Sequence, residues 1–145
     1  MKKIKLLGLF ILSAIVIASI VYSIVNKEVD DLSSKSPDIT ISMTKLAKMI
    51  DIDSIASKAL VDKIILIQDA QVKSIEHDHN STVIELNHSE SSSSIICQID
   101  SRYIDDFAKN KANDLISIKG RVSAFTIDTD LGLGNQLELT YCTKP

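Results

Sequence analysis

From Leu6 to Val25 the chain runs twenty residues without a charge, behind Lys2, Lys3 and Lys5 and ahead of a polar stretch. At about 1.5 Å of rise per residue, a helix of that length matches the roughly 30 Å hydrocarbon core of a bilayer. The leading lysines favour the cytoplasmic side, so the chain after Val25 is expected outside the cytoplasm. A cleaved secretory signal is the competing reading, since it also starts basic and turns apolar. Its apolar stretch is normally shorter, and the small-residue site here, Val16-Ile17-Ala18, lies inside the run with Ile20, Val21, Ile24 and Val25 still to come. Length therefore favours an uncleaved anchor. Both readings export the remainder.

From Lys27 onward, 13 basic residues against 19 acidic ones leave a net charge of −6. A binder of single-stranded nucleic acid usually offers a basic groove with aromatic stacking platforms. Here the aromatics beyond the anchor are Tyr103, Phe107, Phe125 and Tyr141, with no cluster of lysine or arginine. A length of about 100 residues suffices for one compact domain and not for two. The two cysteines, Cys97 and Cys142, both lie in this part. An oxidising compartment makes a disulfide available to them; the alternative is two buried thiols acting as small core residues.

Residues 27–38 are polar, lack apolar periodicity and include Pro37, the pattern of a tether. Ser42 is placed to cap a helix carrying Leu46, Met49 and Ile50, and Asp53 or Ser54 to restart it through Ile55, Ala56, Ala59 and Leu60. The period then changes to two. Ile64 to Ser74 predicts a long strand, Glu76 to Asn80 a turn, Val83 to Leu86 a second strand, and His88 to Ser94 a flexible serine-rich loop. Ile95 to Ile99 predicts a third strand, and Ser101 a short helix with Ile104, Phe107 and Ala108 on one face. Leu115 to Phe125, with Gly120 at an expected bend, and Leu137 to Cys142 complete the set. Three strands, a helix and two strands is the order of a five-stranded Greek-key barrel, the OB-fold. In that topology strands three and five are neighbours, which makes Cys97 and Cys142 a disulfide candidate.

The fold class expected is therefore mainly β: residues 1–26 a transmembrane anchor, 27–38 a tether, and 39–145 an OB-fold barrel with a helical lead-in. The lead-in with Leu46 and Ala56, the stretch Lys63 to Ile75, the Cys97 strand, Ile118-Lys119-Gly120-Arg121-Val122 and Leu137 to Cys142 resemble the tRNA anticodon-binding-domain-like OB-fold family. The resemblance covers about residues 39 to 143. It implies a small exported or membrane-anchored bacterial protein, and its name records a fold rather than an interaction with tRNA. Where that family tends to carry a Gly-x-Val bend in its first strand, this chain has Ala70-Gln71-Val72.

His77, His79 and His88, beside Glu76 and Asp78, are the metal-ligand types to weigh, but a structural zinc site wants four fixed ligands and these lie among serine and asparagine. Asp128 and Asp130 with Gly132 start like a calcium loop, yet Glu138 comes one position short of the bidentate glutamate. Neither pattern calls for a bound metal, and no cofactor is expected. No serine occupies a nucleophile elbow, and Cys97 and Cys142 are not a Cys-x-x-Cys pair, so catalysis is not expected. His77, His79, His88, Asp128 and Asp130 remain as candidate ligand-binding loop residues. The expected function is that of a non-catalytic, membrane-anchored binding or scaffolding module outside the cytoplasm. Its expected partners are the membrane, through the N-terminal helix, and an envelope protein or a saccharide. A single-stranded nucleic-acid binder and a metal-binding envelope protein are the alternatives, the former disfavoured by acidity and export.

Overall fold

A computed structural model describes residues 15–19, 21–22, 31–78, 81–89, 91–127 and 134–145. Residues 1–30 and 31–145 form separate compact units. In the first, the described residues are helical and expose Ile15, Val16, Ile17, Val21 and Tyr22. Among the described residues no helix is long and apolar enough to cross a membrane, and most of the Leu6 to Val25 run lies outside them.

The second unit contains β1 (Ile39–Ser42), α1 (Met43–Ile52), α2 (Ser54–Lys58), β2 (Ile64–Asp78), β3 (Ser81–Asn87), β4 (Ser94–Ile99), α3 (Ile104–Phe107), β5 (Leu115–Thr126) and β6 (Gln136–Thr143). Strands β2, β3, β4, β6 and β5 pair in that order, and β5 returns to β2, which closes the five-stranded barrel of an OB-fold. β4 and β6 are parallel neighbours, as the predicted topology requires.

β2 spans the barrel because it changes partners along its length. Ile64 to Ile67 pair with Arg121 to Ile118 of β5, while Gln71 to Asp78 pair with β3. Between the two stretches the register slips, and Asp69 takes a left-handed φ of 55°. The extra residue resets the alternation, so Ile65 and Ile67 before it and Ala70 and Val72 after it all face the core at 0% exposure. The bend for which this chain lacks a glycine is thus made one residue upstream of Ala70, by an aspartate, a side chain that tolerates left-handed backbone.

Ile84, Leu86, Ile95, Cys97, Ile118, Val122, Leu137 and Leu139 fill the interior with these residues, and Phe107 of α3 joins them. The turn before α3 is capped by Asp100, which accepts from Arg102 N, rather than by Ser101, and Ala108 is exposed. α1 buries Met43, Leu46, Ala47 and Ile50. Asp53 caps α2 by accepting from Ile55 N and Ala56 N, but the expected apolar face of α2 is not the buried one. Ile55 and Ala59 are exposed, whereas Ser57 is buried because its hydroxyl satisfies the carbonyls of Met49 and Asp53.

Two features depart from the expected tether and lead-in. Residues 39–42 form a strand, β1, parallel to β2 at Ile39↔Ile65 through Ser42↔Gln68. It lies along the part of β2 whose pairing with β3 has not yet begun. The folded unit also starts at Asp31 rather than at Ile39. Leu32 is 1% exposed, Lys119 Nζ donates to the carbonyls of Ser33 and Lys35, and Tyr103 Oη donates to Asp31 Oδ2 at 2.7 Å. The bond from Tyr103, with others from Ser33, lowers the Asp31 carboxyl from 3.8 to about 2.

Replacing Asp69 with valine, which is strained at positive φ, is expected to cost about 1–2 kcal/mol in urea denaturation, whereas Asp69→Gly is expected to cost nothing. A depressed folded pKa contributes stability that is present above pH 3.8 and lost as pH falls toward about 2. Asp31→Asn is therefore expected to flatten the acid limb of the stability profile in that window, measured as the difference from the unsubstituted chain.

Candidate functional site

The outward side chains of β2, β3, β4 and β6 alternate with the core positions just described, and they floor a groove of about 550 Å³. Lys73, Glu85, Asn87, Ser94, Ile96 and Gln136 come from these strands, Thr126 and Ile127 from the end of β5 and the residue next to it, and Ser91, Ser92, Ser93 and Gly134 from the loops that enter β4 and β6. Because β4 and β6 are parallel, those two loops arrive at the same end of the barrel.

One carboxylate organises the wall. Ser91 Oγ and Ser93 Oγ both donate to Asp51 Oδ1 at the end of α1, and Ser93 N donates to Ser91 Oγ at 3.0 Å. The loop expected to be flexible is therefore tied to a helix, and Ser93 is 5% exposed. The facing loop is tied to the same helix end by Asn135 Nδ2, which donates to the carbonyl of Ile50 at 2.8 Å. Gly134, at φ 80°, lies so close to Ser92 that a Cβ there would collide with the Ser92 carbonyl oxygen. Serine repeats alone do not signal such a wall. A carboxylate in the last turn of a helix is the available clue, because the dipole disfavours it there and another role is implied.

The charges within the groove cancel. Lys73 Nζ meets Glu85 Oε1 at 2.7 Å, and Ser74 Oγ donates to the other carboxylate oxygen at 3.3 Å. Lys73 is the extra residue of a second irregularity in β2, between Val72 and Ser74, which turns it toward Glu85 on β3. Among the twelve described residues that line the groove, none is aromatic and Lys73 is the only cation. What remains is a set of hydroxyls and amides around Ile96 and Ile127, a surface for hydrogen bonding to uncharged groups.

The groove is lined by residues other than the candidate histidines. His77 pairs with Thr82, its Nδ1 3.0 Å from Thr82 Oγ1, near one end of β3. His88 follows Asn87 at the other end, a strand length of about 20 Å away, so the two cannot share one ion. His79, Asp128 and Asp130 lie outside the described residues. Among the described residues no three His, Cys, Asp or Glu side chains converge as metal ligands.

Cys97 and Cys142 are free thiols at 0% exposure, hydrogen-bonded to each other in the barrel interior. Burial, and then the contact with Cys97, pushes the Cys142 thiol well above its usual range. Neither is a solvent-facing nucleophile.

The family description tRNA_anti-like matches residues 1–133. A crystal structure of a protein assigned as an aspartyl-tRNA synthetase from Leishmania major Friedlin is similar at 16% identity with a TM-score of 0.47, over 79% of this chain. The match spans only 22% of that synthetase chain. Comparison with curated proteins gives no match.

Replacing Asp51 with alanine removes two hydroxyl partners at once and is expected to cost about 1–2 kcal/mol. Hydrogen exchange should locate the loss, with faster exchange at residues 91–94 and unchanged exchange in β5.

Proposed function

The chain belongs to the tRNA_anti-like family, and we propose that it is a non-catalytic binding module whose OB barrel is held outside the cytoplasm by the Leu6 to Val25 segment. The observation that carries the binding assignment is the groove across β2, β3, β4 and β6. Its walls are fixed from behind by Asp51 and Asn135, so the hydrogen-bonding groups are ordered before a ligand arrives. Pre-ordering lowers the entropic cost of binding. The ligand is an uncharged, hydrogen-bonding segment of an envelope component, protein or saccharide. Anchoring raises the local concentration of the barrel at the membrane, so modest affinity suffices there.

Three features support a binding role over catalysis: the paired state of Lys73 and Glu85, the burial of both thiols, and the separation of His77 from His88. Nucleic acid is disfavoured by the net charge of −6 beyond the anchor and by the lack of an aromatic platform in the described groove.

A photo-crosslinking residue placed at Asn87, in the groove, is expected to capture one recurrent envelope component in living cells, while the same residue at exposed Asp105 on α3, beyond the far end of β4, captures none. Equal capture from both positions, or none from either, contradicts the assignment. A single-stranded oligonucleotide is expected to show no salt-sensitive binding at low ionic strength; such binding would establish the nucleic-acid alternative instead.

A further inference from the structure

We propose that Cys97 and Cys142 are an oxidisable pair that closes into an intramolecular disulfide while the barrel assembles, stapling β4 to β6 across the inside of the sheet. Strand register is what brings the two sulfurs together. In the parallel pairing Cys97 faces Leu139 and Ile99 faces Cys142, with a slip between them. Strict alternation after Leu137 and Leu139 would send Tyr141 inward and Cys142 out. Instead Tyr141 takes a left-handed φ of 55° and is 38% exposed, and the inserted residue turns Cys142 into the core. A strained tyrosine is thus tolerated at the one place where it brings the second sulfur to the first.

The neighbouring strand keeps the space open. Gly120 of β5 lies against Cys142, and a Cβ there would stand 2.5 Å from its Sγ. Any larger residue would drive the sulfur away, so the glycine expected at a bend also serves as the seat of a thiol. Both thiols are fully buried and touch only within the closed barrel, where an external oxidant has no path and burial disfavours the Cys142 thiolate. Oxidation therefore belongs to the stage before closure. The thiolate of one cysteine attacks a disulfide of a small molecule or of a thiol oxidoreductase, forming a mixed disulfide and expelling one reduced thiol. The second thiolate then displaces the other, forming the Cys97–Cys142 bond, so the oxidant gains the two electrons that the pair loses and the two thiol protons pass to its leaving thiolates. In the cell this rests on the extracytoplasmic reading above, which supplies the oxidising compartment. Once closed, the barrel shields the bond from reductants, so the redox state records where the chain folded.

The test uses the full chain in detergent, so that it is independent of compartment. The reduced, unfolded protein is refolded in a mixture of reduced and oxidised glutathione, quenched with N-ethylmaleimide in denaturant, weighed and peptide-mapped. The expected product is folded, carries no adduct and yields one Cys97–Cys142 peptide, and its Tm lies roughly 10–15 °C above that of protein refolded fully reduced. Protein already folded with free thiols is expected to react with the same mixture on the order of 100-fold more slowly, because it must open first. A folded fraction carrying two adducts overturns the proposal, as does a disulfide-bonded product that fails to fold. Either failure leaves the compartment reading standing, because protease accessibility in cells tests that separately.

Discussion

Closure of β2 onto β5 is the constraint on which the remaining structure depends. A single strand must pair with β5 over its first half and with β3 over its second, and a flat strand of uniform alternation cannot do both. Asp69 resolves this with one residue of left-handed backbone, which bends β2 and shifts its inward set from Ile65 and Ile67 to Ala70 and Val72 without sending an isoleucine to solvent. The second irregularity, at Lys73, then places an ammonium where Glu85 can meet it on the outer face. The same strand therefore shapes both the core and the floor of the groove.

β6 repeats the device at the opposite side of the barrel. Its inserted residue is Tyr141, and the consequence is the Cys142 sulfur turned into the core and seated over Gly120. Around the outside, elements of little intrinsic stability are held by specific polar contacts. The segment from Asp31 to Lys35 is fixed by Tyr103 and by Lys119, which is 4% exposed and has its ammonium satisfied by two carbonyls. The serine loop is fixed by Asp51 and the turn before β6 by Asn135. Buried apolar area holds the barrel together, while these contacts decide where its loops stand.

The five strands and their order are legible in the sequence because their apolar alternation is long and clear, and the adjacency of the Cys97 and Cys142 strands follows from that order. β1 is not legible: four residues carry too little periodicity, and this strand depends on the exposed edge of β2. The face of α2 misleads because an isoleucine in a five-residue helix reads as core, yet Ile55 is 81% exposed while Ser57 is buried. Positions of the inserted residues are invisible to a two-residue period, which is why alternation alone puts Tyr141 inside. At the candidate site the region is legible and the residues are not. Histidines attract attention by chemistry, whereas Asp51, Asn135 and the serines act through contacts some 40 and 85 residues apart in sequence.

Function, on this reading, joins a neutral, pre-ordered groove to a barrel carried by an apolar N-terminal segment, and the central claim is that this surface faces outward from the cytoplasmic membrane. That claim is tested most directly by adding protease to cells whose cytoplasmic membrane is intact, with an epitope at the C-terminus to follow the barrel. The predicted result is an epitope degraded without lysis while a cytoplasmic marker survives. An epitope that remains protected until the membrane is disrupted would contradict it.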